Sequence, residues 1–333
     1  MAEKTNITRA FDKFWFVLTH ESQHIHSMEK AGLATNMLSL GVTHEIRRSA
    51  QCNFYTNEMT NVSIGIIEVK KDVLNKEFNT DRYENEVILT FDIFGNYKLH
   101  QFLLRYEMFK QLNTEFQYDD KVLYNMFLHD EDRIAEGKNE IVNFIRSSKL
   151  VPALYTNKKD KIMEKVYLNS NIVIKYNSIK PFLNKLVKRY LNNPEIQRIT
   201  FTGYGLGASL AQLAYINHTL KFVSHKNKFF YYGYRVPSIG NNNFNEFFKN
   251  VIKRGNKKSL SVNIENDTIA NLLPSWFGYK GPIIDITLKD LLPKNDPVHK
   301  RECDVARFNV FIYERLLGSA LREENGDVKE TAA

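Results

Sequence analysis

Apolar and polar positions divide this chain into a regular half and an irregular half. From residue 171 onward, short β-branched and aromatic runs alternate with stretches of helical apolar spacing. Ser178–Leu191 places Ile179, Phe182, Leu183, Leu186, Val187 and Tyr190 on one helical face. Arg198–Thr202 reads as a strand and Leu206–Thr219 as a helix. Phe229–Tyr234 is a strand, and Asn243–Lys253 is a helix carrying Phe244, Phe247, Phe248 and Val251. Ser259–Ile264 and Ile283–Leu288 are strands, and Val305–Leu321 is a terminal helix. Such alternation predicts a mostly parallel sheet covered on both faces. Upstream, residues 1–50 read as helical around Phe11, Phe14, Trp15 and Phe16, while Val62–Val69 and Glu86–Phe94 read as two strands with a charged connection. The segment 97–170 is mixed and highly charged, and suits helices with a long excursion. The expected organisation is a helical region over 1–60 packed on a main α/β domain over 61–321, followed by a polar tail over 322–333.

Composition changes this picture little. The 333 residues are 43% hydrophobic and 25% charged, ordinary for a globular chain, and 17 Tyr with 23 Phe supply a large core. The recurrence of Lys, Asn, Ile, Phe and Tyr is typical of AT-rich genomes, many insect viruses and protists among them. The net charge is +8, but the basic residues are scattered along the chain and the runs Lys158-Lys159 and Lys257-Lys258 are short. With no basic stripe interleaved with aromatics, no nucleic-acid partner is expected. Cys52 and Cys303 form neither a zinc spacing nor a disulfide framework. No apolar run reaches the roughly 18 residues of a membrane span, and the N-terminus lacks the apolar core of a signal peptide. The expectation is an intracellular, reduced protein without a transmembrane segment.

The chemistry-bearing stretch is Ile199-Thr-Phe-Thr-Gly203-Tyr-Gly205-Leu-Gly207-Ala-Ser-Leu-Ala-Gln-Leu-Ala214. A strand runs into a glycine cluster and then into an alanine-rich helix. Two functional readings compete. In the first, Gly203-x-Gly205-x-x-Ala208 is a dinucleotide fingerprint whose helix amides hold a pyrophosphate. The next strand ends at Tyr234-Arg235 rather than at an acidic residue, and Arg235 would suit the 2′-phosphate of NADP. In the second, Gly203, Tyr204, Gly205, Leu206 and Gly207 form a nucleophile elbow of the G-x-S-x-G type, in which the middle residue attacks an ester. That middle residue is Gly205.

More of the chain supports the elbow. Thr202-Gly-Tyr-Gly-Leu-Gly-Ala-Ser-Leu-Ala211 resembles the class 3 lipase family, the fungal triacylglycerol lipase type, whose elbow reads roughly T-G-H-S-L-G-G-A-L-A. Tyr232-Gly233 followed by Pro237-Ser-Ile-Gly240-Asn241 and Phe244 resembles the family's F-G-x-P-R-V-G-N with two extra residues and Ser238 in place of arginine. Asn266-Asp267-Thr-Ile-Ala-Asn-Leu-Leu-Pro274 resembles its D-x-V-P-x-L-P loop. The similarity covers roughly residues 175–315. Upstream, EVILTFDIFGN resembles the strand that precedes the family's F-R-G-T oxyanion segment, without that signature. The resemblance implies an α/β-hydrolase fold with an N-terminal helical addition.

It also implies where the triad would stand. The nucleophile position falls on Gly205, the acid on Asp267, and the base on Val305, which follows Asp304, or on the displaced His299. Glycine adopts the strained elbow angles freely but offers no attacking oxygen, and losing a serine nucleophile costs about 10⁶ in rate in a serine protease. Ser209, one helical turn further on, is not expected to reach the elbow. The expectation is a catalytically inactive, lipase-like protein without a cofactor. Its role would be structural, in assembly or in binding, through self-association or a protein partner, with a lipid-like ligand or Tyr204 and its neighbours filling the old cleft. One variant is a self-assembling viral structural protein, associated with the virion. The alternatives are an active ester or lipid hydrolase with a non-standard nucleophile, and an NADP-binding protein.

A second motif, His20-Glu21-Ser22-Gln23-His24, matches H-E-x-x-H, which on a helix would set two histidines on one face for zinc. Only 19 residues precede it, and the later glycine and histidine of the metzincins are missing. A partly exposed, histidine-rich helix is expected there, with no metal.

Overall fold

Among the described residues seven strands form a mixed sheet: β1 (Gln51–Asn57), β2 (Val62–Val69), β3 (Glu86–Ile93), β6 (Arg198–Tyr204), β7 (Phe229–Tyr234), β8 (Leu260–Ile264) and β9 (Ile286–Leu288). The computed structural model describes residues 51–77, 84–93, 145–153, 166–256, 258–264, 275–281 and 285–288, with positions 13, 119, 122 and 273. The spatial order is β1-β2-β3-β6-β7-β8-β9. The first two pairings are antiparallel and the remaining four are parallel. A separate antiparallel pair joins β4 (Leu150–Pro152) to β5 (Tyr167–Asn169).

The parallel strands read as continuous apolar runs because both of their faces are covered. All eight residues of β3 are buried. On one face Val87, Leu89, Phe91, Ile199, Phe201, Phe229 and Tyr231 share a core with three helices. These are α2 (Ser170–Leu191), α3 (Leu206–Lys221) and α4 (Asn242–Arg254), while a short α1 (Lys71–Glu77) follows β2. On the opposite face Ile88, Thr200, Thr202 and Tyr232 are buried as well.

The helix expected from Ser178 begins eight residues earlier. Asn169 caps α2, its side-chain oxygen accepting from the amides of Asn171 (2.9 Å) and Ile172 (3.1 Å). Ile172, Tyr176, Ile179, Leu183, Val187 and Tyr190 then face the core at three- and four-residue steps. Burying six such side chains is worth roughly 1.5–3 kcal/mol each, which outweighs the exposed Pro181 inside the helix.

The helical region expected over 1–60 is corrected at its C-terminal end, since residues 51–57 are a strand. β1 is the edge of the sheet, and its alternation is weak because the side chains of residues 53–57 are half-buried or exposed. Its hairpin is fixed from outside the pair. Lys175 Nζ donates to the carbonyl of Thr60 (2.6 Å), the hydroxyls of Thr60 and Ser178 are 2.8 Å apart, and the Tyr55 and Phe182 rings stack at 3.9 Å. Within the first fifty residues, Lys13 is the one described position. It is helical, buried, and ion-paired to the fully buried Glu86 at the start of β3. The terminal helix 305–321, the tail 322–333 and Cys303 lie outside the described residues.

One buried base gives the fold an acid limit. His218, near the end of α3, lies among the rings of Phe201 (5.3 Å), Phe222 (6.1 Å) and Phe229 (6.3 Å), and its Nδ1 donates to the carbonyl of Ala214 (2.7 Å). Burial pulls its pKa down to about 4, with Lys221 and Lys180 adding to the shift against the accepting carbonyls of Ala214 and Leu183. The unfolded chain, with an ordinary value near 6.5, takes up this proton first as pH falls. Stability from this group is therefore complete above about pH 6.5 and lost on descent toward pH 4, up to about 3 kcal/mol. Urea unfolding of wild type and His218→Leu at pH 7 and pH 4.5 measures it. The wild type should lose about 2–3 kcal/mol more than the variant, and equal losses would show that His218 is not the acid-sensitive group.

Candidate functional site

The elbow is built where β6 meets α3. Gly205 has φ 56° and ψ −125°, outside both the right-handed and the left-handed helical wells, and it caps α3 without a side-chain bond. Its amide donates to the carbonyl of Tyr234 on β7 (3.0 Å), and its carbonyl accepts from Ala208 (3.1 Å). The turn therefore hangs from the neighbouring strand and opens directly into the helix. A residue with a Cβ at these angles is strained by on the order of 1–3 kcal/mol.

Gly203 and Gly207 serve a different end. A Cβ on Gly207 would stand 2.0 Å from the carbonyl oxygen of Phe91 on β3, and one on Gly203 would stand 2.6 Å from the carbonyl carbon of Gly207. These glycines let the first turn of α3 lie against two strands at once. Leu206 is buried on the core face of the sheet.

Tyr204, the last residue of β6, is fully buried, and its hydroxyl accepts from the guanidinium of Arg235 (3.1 Å). Arg235 is itself buried and takes a left-handed backbone, φ 54°. Its amide donates to Val262 (2.8 Å), and the Asn263 side chain brackets the next peptide, accepting from the Val236 amide (2.9 Å) and donating to its carbonyl (3.3 Å). Nothing in the sequence pattern signals this Tyr204–Arg235 contact. Only the parallel register of β6 and β7, with Tyr204 opposite Tyr234, brings the two side chains together.

The turn after β7 is pinned by Asn241. Its side-chain oxygen caps α4 at the Phe244 amide (3.1 Å) and also accepts from the Tyr167 amide (3.2 Å). Asn169 closes the same end of the molecule, its amide donating to the hydroxyls of Ser148 (2.9 Å) and Tyr279 (3.0 Å). Burial pushes the Tyr279 phenol up to about 12, against the downward pull of the Asn169 bond, so it remains a neutral acceptor at any ordinary pH.

Ser209 lies on α3, wholly buried, with its hydroxyl unbonded. The acid position Asp267 and the base positions His299 and Val305 lie outside the described residues, as do His20, Glu21 and His24. Among the described residues no cluster of His, Cys, Asp and Glu suits a metal ion, and no helix is long and apolar enough to cross a membrane.

The dinucleotide reading fails on topology. Such sites sit where strand order reverses beside the glycine-bearing strand. Here β6 lies between β3 and β7 in an order that proceeds in one direction, and the Arg235 guanidinium is buried against Tyr204 rather than presented to a phosphate.

The parallel sheet, the strand–elbow–helix unit and the flanking helices define an α/β-hydrolase fold. Residues 135–276 match the family model for lipase (class 3), so this stretch is similar in sequence to that family. Solved structures agree on the fold. Lipase II from Rhizopus niveus aligns at a TM-score of 0.50 and 10% identity, over 82% of this chain and 78% of that one. A mutant form of MDLA from Penicillium cyclopium aligns at a TM-score of 0.50 and 14% identity, over 87% and 83%. No curated protein matches the chain in sequence.

Proposed function

We propose that this chain is a catalytically inactive, lipase-like protein that acts through binding or assembly rather than ester hydrolysis. The observation behind this reading is Gly205, which occupies the strand–helix junction where an elbow nucleophile would stand. The nearest hydroxyl along the helix, that of Ser209, is buried inside the first turns of α3. The buried Tyr204–Arg235 pair supports the same reading, because it fills the space beside the elbow with side chains bonded to each other.

The test is hydrolysis of short- and long-chain esters by the purified protein, with Asp267→Ala as control and Gly205→Ser beside them. Wild type and Asp267→Ala should share one background rate. Gly205→Ser should unfold at lower denaturant, by about 1–3 kcal/mol. Turnover in the wild type that disappears in Asp267→Ala would mean that another nucleophile serves the site, and the proposal would fall. If hydrolysis is absent, light scattering at rising protein concentration separates self-association from binding to another protein.

A further inference from the structure

The basic residues that look scattered along the chain are gathered in space. Between residues 170 and 264 there are fifteen Lys or Arg and only two acidic residues, Glu195 and Glu246, so the rest of the chain carries more carboxylates than cations. α2, α3 and α4 each follow or precede a parallel strand, and all three end at the edge where β6, β7 and β8 begin, opposite the elbow. The loops there touch. Lys228 Nζ donates to the carbonyl of Ile196 (3.0 Å), and the Asn256 amide donates to the carbonyl of Asn227 (3.2 Å).

This edge presents Lys221, Lys226, Lys228, Lys253, Arg254 and Lys258. Cations in a last helical turn offset the helix dipole, which accounts for Lys221, Lys253 and Arg254. It does not account for Lys226, Lys228 and Lys258, which stand outside α-helices. Among these lysines Val223 is 62% exposed and Leu220 37% exposed. Toward β2 and β3 the same edge is of mixed charge, with Asp72 among the exposed Lys70, Lys71 and Lys76 and with Glu84 paired to Arg198 (2.5 Å).

We infer that this edge docks on an anionic lipid surface, with the lysines against the headgroups and Val223 and Leu220 at the interface. Lysine outnumbers arginine in the patch, which suits a diffuse field of phosphates rather than bidentate base or phosphate recognition. An exposed aliphatic pair among cations is the pattern of interfacial contact. Single-strand nucleic-acid sites instead need stacking platforms. The two aromatic side chains most exposed among the described residues, Trp276 and Phe277, lie at the elbow end. The inference is independent of whether the elbow hydrolyses anything.

The experiment is co-sedimentation of the full chain with phosphatidylcholine vesicles, with and without about a third phosphatidylserine, at low and high salt. Binding should require the anionic lipid and weaken with salt. The pair Lys226→Glu/Lys253→Glu should weaken it by at least about 25-fold, about fivefold for each cation removed before the added carboxylates are counted. The charge-matched pair Lys149→Glu/Lys280→Glu, on exposed lysines at the elbow end, should leave it unchanged. Val223→Ser should weaken binding while preserving its salt dependence. Equal binding to neutral vesicles, equal loss in both charge-reversed pairs, or binding to a single-stranded oligonucleotide but not to anionic vesicles would each overturn the inference. Matching thermal midpoints for the two pairs exclude misfolding as the cause.

Discussion

Gly207→Ala is expected to leave no stably folded protein. The added methyl would fall 2.0 Å from the Phe91 carbonyl oxygen, 2.8 Å from its carbonyl carbon and 3.2 Å from Asp92 Cα. All three are backbone atoms of β3, which is buried along its whole length and hydrogen-bonded on both sides. A flexible side chain could swing away, but a central strand cannot, because close-packed interiors transmit such a displacement rather than absorb it. The cost should exceed about 4 kcal/mol, beyond the usual range for point substitutions. That is a large share of the roughly 5–15 kcal/mol that holds a domain together. Gly203→Ala meets the backbone of Gly207 and Ala208 at 2.6–2.8 Å and should behave alike. Soluble yield, circular dichroism and urea unfolding are the measurements. A Gly207→Ala protein with an unchanged midpoint would show that α3 can lift from β3.

Much of the fold was legible because burial on two faces writes itself as unbroken apolar runs. Val62–Val69 and Phe229–Tyr234 have the same bounds in sequence and structure, and β3 and β6 differ only at an end. The edge strand β1 was not legible, since a strand with half-exposed side chains need not alternate cleanly. The first turns of α2 were hidden by Ile172-Val173-Ile174, whose β-branched side chains favour a strand in isolation. Asn169 and the burial of Ile172 and Tyr176 override that preference. At the site, the glycine cluster announced a tight turn, but its glycines have separate purposes. Gly205 supplies a backbone angle, whereas Gly203 and Gly207 permit close approach, and the spacing of the motif cannot tell these apart. The Tyr204–Arg235 contact depends on strand register, and the basic edge depends on three helices ending together. Neither can be read from the order of residues alone.

Lys13→Met is the second substitution expected to act strongly, by about 3–5 kcal/mol, the usual cost of stripping one partner from a buried ion pair. Glu86 is fully buried at the first position of β3. One carboxylate oxygen pairs with the Lys13 ammonium, and the other lies 3.4 Å from the Thr200 hydroxyl. Without Lys13, the Thr200 hydroxyl is the one side-chain partner left among the described residues, and a hydroxyl cannot balance a buried charge. The pair itself need not stabilise the protein, because desolvating two ions consumes most of their mutual attraction. Lys13→Met/Glu86→Leu should therefore recover most of what the single change loses. Urea unfolding of the wild type, both single variants and the double variant measures the coupling. A large positive coupling would establish the ion pair as the device by which Lys13, some seventy residues away in sequence, is held to β3. If Lys13→Met unfolds at the wild-type midpoint, Glu86 has another cation or takes up a proton.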